Sequence, residues 1–296
     1  MRVRNLFGVP RRLQDAEFLR REIAARMQER LALIRLEPQR VLDAGCGAGP
    51  DMSTLQRRFP LAQVLGLDAA CAMLAQARAA QNGARSSLQR ALAAWLPAGL
   101  RASGLVDDLV CGDFARLPLA PNSVDLVWSN LALHWHPCPD QVFAEWRRVL
   151  RTDGLLMFSC FGPDSLKELR GVFAGLDQYA HTLPFVDMHD FGDMLVQAGF
   201  ATPVMDMETI TVTYDNPDKL LAEVRALGGN PLDDRRRGLI GRTAWQSLRR
   251  RLEALRGSDG RFSLTFEVIY GHAFRPVPTV TARGESIIRL DFPRRG

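Results

Sequence analysis

The stretch VLDAGCGAG, Val41 to Gly49, sets glycines at Gly45, Gly47 and Gly49 directly behind an apolar run and an aspartate. Glycine after a strand costs stability unless the backbone needs positive φ or a ligand must approach it closely. Next come the pattern of a short helix, DMSTLQRRF, and a second apolar run, AQVLGLD, that ends on Asp68. Strand, glycine loop, helix and an acid-terminated second strand form an arrangement that binds a nucleotide at the carboxyl ends of parallel strands. Asp68 lies 25 residues beyond Asp43 and stands where a carboxylate can accept both hydroxyls of a ribose. The glycine spacing selects among ligands. A dinucleotide loop has the pattern G-x-G-x-x-G with a pyrophosphate on the helix N-terminus. Here the spacing is D-x-G-x-G-x-G, and the helix opens on Pro50 and Asp51, an acid that repels phosphate. A nucleoside cofactor without phosphate fits better.

The rest of the chain extends the same rhythm. Leu19, Ile23, Met27, Leu31 and Ile34 recur at helical spacing ahead of Pro38. AACAMLAQARAA reads as a helix, and DDLVCGDF, SVDLVWSNLAL and GLLMFSCFG as strands, with the helix DQVFAEWRRVL between the last two. Leu88, Leu92, Trp95 and Leu96 predict a further helix inserted between Arg85 and Asp107. Alternating strands and helices imply right-handed crossovers and a parallel sheet covered on both faces. Beyond Phe200 the period changes: VMDMETITVTY and FSLTFEVIYGHAF alternate as half-exposed strands would, with an Arg-rich helical stretch between them. The tail after Pro276 has little periodicity.

Composition narrows the class. With 47% hydrophobic and 24% charged residues over 296 positions, the chain has the make-up of a soluble globular protein, and no run reaches the length of a membrane helix. The first residues, MRVRNLFGVPRRLQ, lack the apolar core of a secretory signal. Cys46, Cys71, Cys111, Cys138 and Cys160 are odd in number and lack metal-ligand spacing. They read as free thiols of a cytoplasmic protein, with no metal site. The formal charge of +5 is local: the stretch from Pro217 to Phe262 holds 11 basic and 6 acidic residues, which accounts for all of it. Such a surface suits an acidic partner or forms a solvated helix face. Nucleic acid is disfavoured because Trp245 is the one stacking aromatic central to the run.

Several ordered motifs between about residues 38 and 160 resemble those of the class I S-adenosylmethionine-dependent methyltransferases. VLDAGCGAG is similar to their first motif and VLGLD to their acidic second-strand motif. CGDFARLPLAPNSVDLVWSNLALHW resembles the adenine-contacting and post-strand-four motifs together. The resemblance implies a Rossmann-like α/β fold with a mostly parallel seven-stranded sheet, helices on both faces and a helical lid or insert. S-adenosylmethionine is the implied cofactor. Asp43, Gly45, Gly47 and Gly49 would then face its methionine part and Asp68 its ribose. Asp113 would accept from the adenine amino group, Phe114 would flank the ring, and Asn130 and Leu131 would lie beside the sulfonium. A turn cap at Asp113 and a strand-end cap at Asn130 are the structural alternatives.

SNLALHW, FGPDSLKELR, FVDMHDFGDMLVQAGF, LLAEVRALGG and GRFSLTFEVIYGHAF together resemble the malonyl-acyl carrier protein O-methyltransferases of biotin synthesis, from about Asn5 to Pro276. That resemblance implies esterification of the free malonyl carboxylate and an acidic acyl carrier protein as partner, with neither nucleic acid nor membrane. It divides the chain into an N-terminal helical cap over 1–37, a methyltransferase domain over 38–276 and a loose tail over 277–296. Inserts are expected near 85–107, 162–190 and 217–260. The family begins with a phenylalanine-rich lid carrying a tyrosine, whereas LFGVPRRLQDAEFL has no tyrosine. The late motifs also resemble a mitochondrial complex I assembly factor of this fold that is an arginine hydroxylase. A methyltransferase of another small carboxylate and a catalytically silent binding protein are the remaining readings. A malonyl carboxylate is ionised at neutral pH and needs no general base, so His134 is expected to be a packed or capping residue. The site does need a cation for that carboxylate, and arginine offers a fork that stays protonated. Arg170 ahead of Arg225 is the candidate, with Trp135 beside the substrate; a surface salt bridge, to Glu168 and Glu223 respectively, is the alternative for each arginine.

Overall fold

In a computed structural model of the chain, residues 2–8, 17–84, 108–236, 238 and 240–278 are described. The helix expected between Arg85 and Asp107, and the tail from residue 279 on, lie outside them.

Seven strands form one sheet: β1 (Arg40–Ala44), β2 (Gln63–Asp68), β3 (Leu109–Cys111), β4 (Val124–Asn130), β5 (Leu150–Phe161), β6 (Ala201–Tyr214) and β7 (Phe262–Phe274). Their spatial order is β3-β2-β1-β4-β5-β7-β6. The first five are parallel, and β7 runs antiparallel between β5 and β6. The order reverses between β1 and β4, and a crevice opens at the carboxyl ends there, the place where open α/β sheets take ligands.

The helices are α1 (Arg2–Leu6), α2 (Glu17–Ala32), α3 (Pro50–Arg58), α4 (Cys71–Ala84), α5 (Pro139–Val149), α6 (Lys167–Phe173), α7 (Met188–Gln197), α8 (Pro217–Ala226) and α9 (Arg242–Glu253). Alternation along the strands divides the core between two faces. Val41, Leu126, Trp128, Leu155 and Met157 pack with α2, α3 and the helices of the second half. Leu42, Val127, Leu156 and Phe158 pack with α5 and α7 through residues such as Phe143, Trp146 and Phe191. Leu19, Ile23, Met27 and Leu31 of α2 are fully buried in the first cluster. Burying four such side chains contributes about 6–12 kcal/mol before entropic costs. α2 thus belongs to the core, and Phe7, just after α1, packs against Ala70 and Met73 behind the end of β2.

Two expectations are corrected. β6 alternates between partly buried and exposed positions as expected, but β7 is buried at nine of its 13 positions. A strand hydrogen-bonded on both edges and covered on both faces has no solvent side for its pattern to report. The cysteines are not all free: Cys71 and Cys111 form a disulfide across 40 residues. Asp68 and Cys111 are register partners on β2 and β3, and α4 begins at Cys71. The two Cα atoms thereby come within 5.6 Å, inside the range a disulfide bridges. Cys46, Cys138 and Cys160 are free thiols.

Candidate active site

The glycine loop has the backbone its sequence demands. Gly45, Gly47 and Gly49 take φ of 84°, 55° and 77°. A Cβ on Gly45 would stand 2.4 Å from the Cβ of Ala132, so the loop after β1 presses against the loop after β4. Asp68 ties the loop in place: its Oδ2 accepts from the Gly47 N–H at 2.9 Å and its Oδ1 from Ala70 N–H at 2.7 Å. A carboxylate has about four acceptor sites, so Asp68 retains capacity for ligand hydroxyls.

Asp43 is buried with no hydrogen bond to Oδ2. Burial raises its pKa well above the usual carboxylate range, and the nearby charges of Asp51 and Asp68 add to the rise. An orphaned, buried carboxylate oxygen costs free energy unless something cationic or protic meets it. Asp51, in the first turn of α3, is a second buried acid. It accepts from Trp128 Nε1 at 3.0 Å and from Asn130 Nδ2 at 3.0 Å. The acid at the helix start thus also holds the end of β4.

Asn130 spends its amide on the scaffold. Nδ2 also donates to the Arg20 carbonyl at 3.2 Å, and Oδ1 accepts from Ser159 Oγ at 2.9 Å. Leu131 stands next at φ 51°, a conformation that costs a branched residue about 1–3 kcal/mol and is held here by N–H donation to Ser159. Asp113 makes a turn through Ala115 N–H at 3.0 Å and keeps Oδ2 toward Arg4, 3.9 Å away. Phe114 packs near the Trp146 and His136 rings, 3.7 Å from where a Gly45 Cβ would be. The resemblance-derived set of cofactor residues therefore converges on one crevice.

Beside it lies a mostly apolar cavity lined by His134, Trp135, Phe161, Phe185, Arg225 and Asn230, among others. Trp135 closes one wall, and a Cβ on Gly228 would be 2.5 Å from its ring, which explains the glycine there. Phe7, just after α1, meets Trp135 edge-on at 5.3 Å between centroids. It also packs against Ala70 and Met73 of the cofactor side, and so bridges the crevice and the cavity. The structure separates the two candidate arginines. Arg170 donates to the carbonyls of Ser165, at 2.6 Å, and Pro163, which bind it to the turn before α6. Its alternative partner, Glu168, accepts from Thr265 instead. Arg225 lines the cavity, is exposed, and makes no side-chain hydrogen bond or ion pair among the described residues.

His134 packs among Trp135, Phe161 and Phe185, and its Nδ1 is buried with no partner. Burial, with the charge of Arg20 second, pushes its pKa down to about 3. It is neutral at physiological pH and has no proton to lend. Its titration does bear on stability. Above the ordinary value near 6.5 both folded and unfolded imidazoles are neutral; as pH falls towards 3 the unfolded chain binds a proton that the folded one refuses. The wild-type chain is expected to lose about 2 kcal/mol to this residue by pH 5. Denaturant unfolding of His134→Phe should show that loss removed: the variant gains on wild type between pH 7.5 and 5. A stability difference independent of pH would contradict the buried neutral assignment.

Residues that sequence reasoning missed are Arg20, Trp128 and Ser159, and Asp51 in its scaffold role. Arg20 adjoins the core stripe of α2 and carries no local signal. Trp128 and Ser159 look like ordinary strand residues.

A strand order of 3-2-1-4-5-7-6, with a glycine loop after β1 and acids in β1, at the end of β2 and just beyond β3, defines a class I methyltransferase. A family model described as a methyltransferase domain matches residues 42–158. The fold is shared with the YcgJ protein of Bacillus subtilis, at a TM-score of 0.56 and 17% identity, covering 86% of this chain and 99% of that one. The malonyl-[acyl-carrier protein] O-methyltransferase of Laribacter hongkongensis is 51% identical over 88% of this chain and 84% of its own length. The protein of the same name from Gallionella capsiferriformans is 46% identical over 93% and 90%. The chain belongs to the malonyl-[acyl-carrier protein] O-methyltransferase family. Among the described residues no helix is long and apolar enough to cross a membrane.

Proposed function

We propose that this protein transfers a methyl group from S-adenosylmethionine to the free carboxylate of a malonyl group carried on an acyl carrier protein, a step towards the pimeloyl part of biotin. The observation that carries the reading is the pairing of a cationic-ligand cradle with an apolar cavity that has an arginine on its wall. The cradle fits the cofactor: the orphaned Asp43 Oδ2 suits its ammonium, and Gly45, pressed against Ala132, offers bare loop backbone to the methionine part. Asp68 suits the ribose, and Asp113 with Phe114 suits the adenine. Bound there, the cofactor supplies an electrophilic methyl on a sulfonium.

What the chain itself supplies is placement. The carboxylate is ionised without help, so no side chain need remove a proton. The aromatic wall of His134, Trp135, Phe161 and Phe185 excludes water from a nucleophile that water would otherwise shield. Arg225, rather than Arg170, is the cation for acidic substrate groups, because it faces the cavity and is unpaired. Uncharged His134 in the aromatic wall does not attract the carboxylate electrostatically. Esterification removes the negative charge and so releases product from any arginine that held the substrate.

The carrier docks by charge. Arg235, Arg242 and Arg250 are exposed and unpaired among the described residues, whereas Arg236 pairs with Asp177 and Arg249 with Asp218. Exposed charges are screened over about 8 Å at physiological ionic strength. Activity on the carrier-linked substrate is expected to fall steeply with salt. Arg235→Ser combined with Arg242→Ser and Arg250→Ser should raise KM for it about tenfold, with turnover of a malonyl coenzyme A thioester little changed. Equal losses on both substrates would place these arginines in the fold or the cavity instead.

A further inference from the structure

The cradle contains one desolvated cation with no role so far. Arg20 projects from α2, whose carbonyl at that residue is pinned by Asn130 Nδ2 at 3.2 Å. Its guanidinium lies 5.7 Å from the centroid of the Phe7 ring. Phe7 packs in turn against Ala70 and Met73 behind Asp68, the pair against which Ala48 of the glycine loop also packs. Two independent contacts therefore place Arg20 between the end of β4 and the residues that follow β2. The residue keeps some exposure, as a group facing an open crevice must. Asp68, Asp51 and Glu17 act on it electrostatically, yet its guanidinium makes no hydrogen bond to any described residue. Burial lowers its pKa while those three carboxylates raise it again, and the net is a drop from the usual arginine value. A largely desolvated guanidinium that bonds to no described residue has donors free for a ligand. The acids that attract it hydrogen-bond to other groups: Asp68 to Gly47 and Ala70, Asp51 to Trp128 and Asn130.

We propose that Arg20 binds the α-carboxylate of the S-adenosylmethionine methionine moiety, forming the anion-binding half of a zwitterion clamp whose other half is Asp43. The inference rests on the proposed cofactor reading. The amino-acid end of that cofactor carries an ammonium and a carboxylate on one carbon, so its recognition needs an acid and a base side by side. The crevice supplies acids in excess, Asp43, Asp51 and Asp68, and Arg20 is the cation among them. The donor fork suits a planar carboxylate bidentately, and lysine would lose that geometry. Arg225, exposed at the cavity, remains for the substrate's acidic groups, so the two carboxylates in the reaction meet different arginines. Phe7 covers the Arg20 guanidinium and bridges to Trp135, which gives the tyrosine-free N-terminal segment a role at the cofactor's amino-acid end.

The test is a cycle between ligand and protein, read by calorimetry without substrate. Wild-type protein is titrated with S-adenosylmethionine and with its decarboxylated analogue, and so are Arg20→Lys and Arg20→Met. Wild type should bind the analogue roughly 10- to 100-fold more weakly, the range for losing a charge-assisted contact. Arg20→Met should bind both ligands with nearly equal, weak affinity, and Arg20→Lys should retain part of the discrimination. Thermal unfolding checks that the variants are folded, and the wild-type comparison of the two ligands stands even if they are not. Full discrimination in folded Arg20→Met, or none in wild type, overturns the assignment. Wild type that binds neither ligand overturns the cofactor reading itself.

Discussion

Gly45→Ala is expected to destroy cofactor binding. The added Cβ would sit 2.4 Å from Ala132 Cβ and the residue would keep φ near 84°. Overpacking costs about 1–3 kcal/mol and left-handed backbone a further 1–2 kcal/mol for a residue with a Cβ. Relief can come only by moving the loop away from β4, and the loop backbone is the surface that meets the methionine part. S-adenosylhomocysteine affinity should fall more than 100-fold in calorimetry, with thermal stability reduced as well. Adding Ala132→Gly removes the clash but not the φ penalty, so the double variant should recover part of both losses. A single variant that binds as wild type would show that the loop is not the cofactor's cradle.

The second large effect is at Asp68. Its two oxygens hold Gly47 and Ala70 N–H groups, and the proposed ribose contacts use what capacity remains. Hydrogen bonds to a charged group are worth roughly 1.5–3 kcal/mol each. Asp68→Ala should therefore weaken S-adenosylmethionine binding by about 3 kcal/mol or more, over 100-fold. Because two loop amides lose their acceptor, stability should fall too, by about 1–3 kcal/mol. Asp68→Asn keeps one acceptor oxygen and should be intermediate in both. Unchanged affinity in a folded Asp68→Ala variant would remove Asp68 from the site.

Legibility in the sequence depends on the range over which each signal acts. The glycine loop, the acids at strand ends and the helix stripe of Leu19, Ile23, Met27 and Leu31 are local patterns, and each leads to the element the structure shows. β7 departs from its pattern because both of its faces are covered: Phe262, Leu264, Phe266 and Val268 pack in one core cluster and Ile269 and Ala273 in the other. The Cys71–Cys111 bridge needs the β2–β3 register, which no spacing in the chain encodes. Arg170 and Arg225 look alike in sequence, each near a glutamate on a helix. Only the turn at Pro163 and Ser165, whose carbonyls consume the Arg170 guanidinium, tells them apart. Arg20 is hidden for the opposite reason, as one more charge beside an amphipathic stripe. Gly228 is a local signal whose reason is distant: Trp135, far off in the chain, comes to where its Cβ would be.

The most direct measurement is of the reaction itself. Purified protein incubated with methyl-labelled S-adenosylmethionine and malonyl-acyl carrier protein, with intact mass analysis of the carrier afterwards, reads it without an intermediary. The carrier should gain one labelled methyl group, lost again on mild alkaline hydrolysis of the ester, and acetyl-acyl carrier protein should gain none. Gain of an oxygen, transfer to the acetyl form, or an unmodified carrier in the presence of bound cofactor would contradict methyl transfer to the malonyl carboxylate.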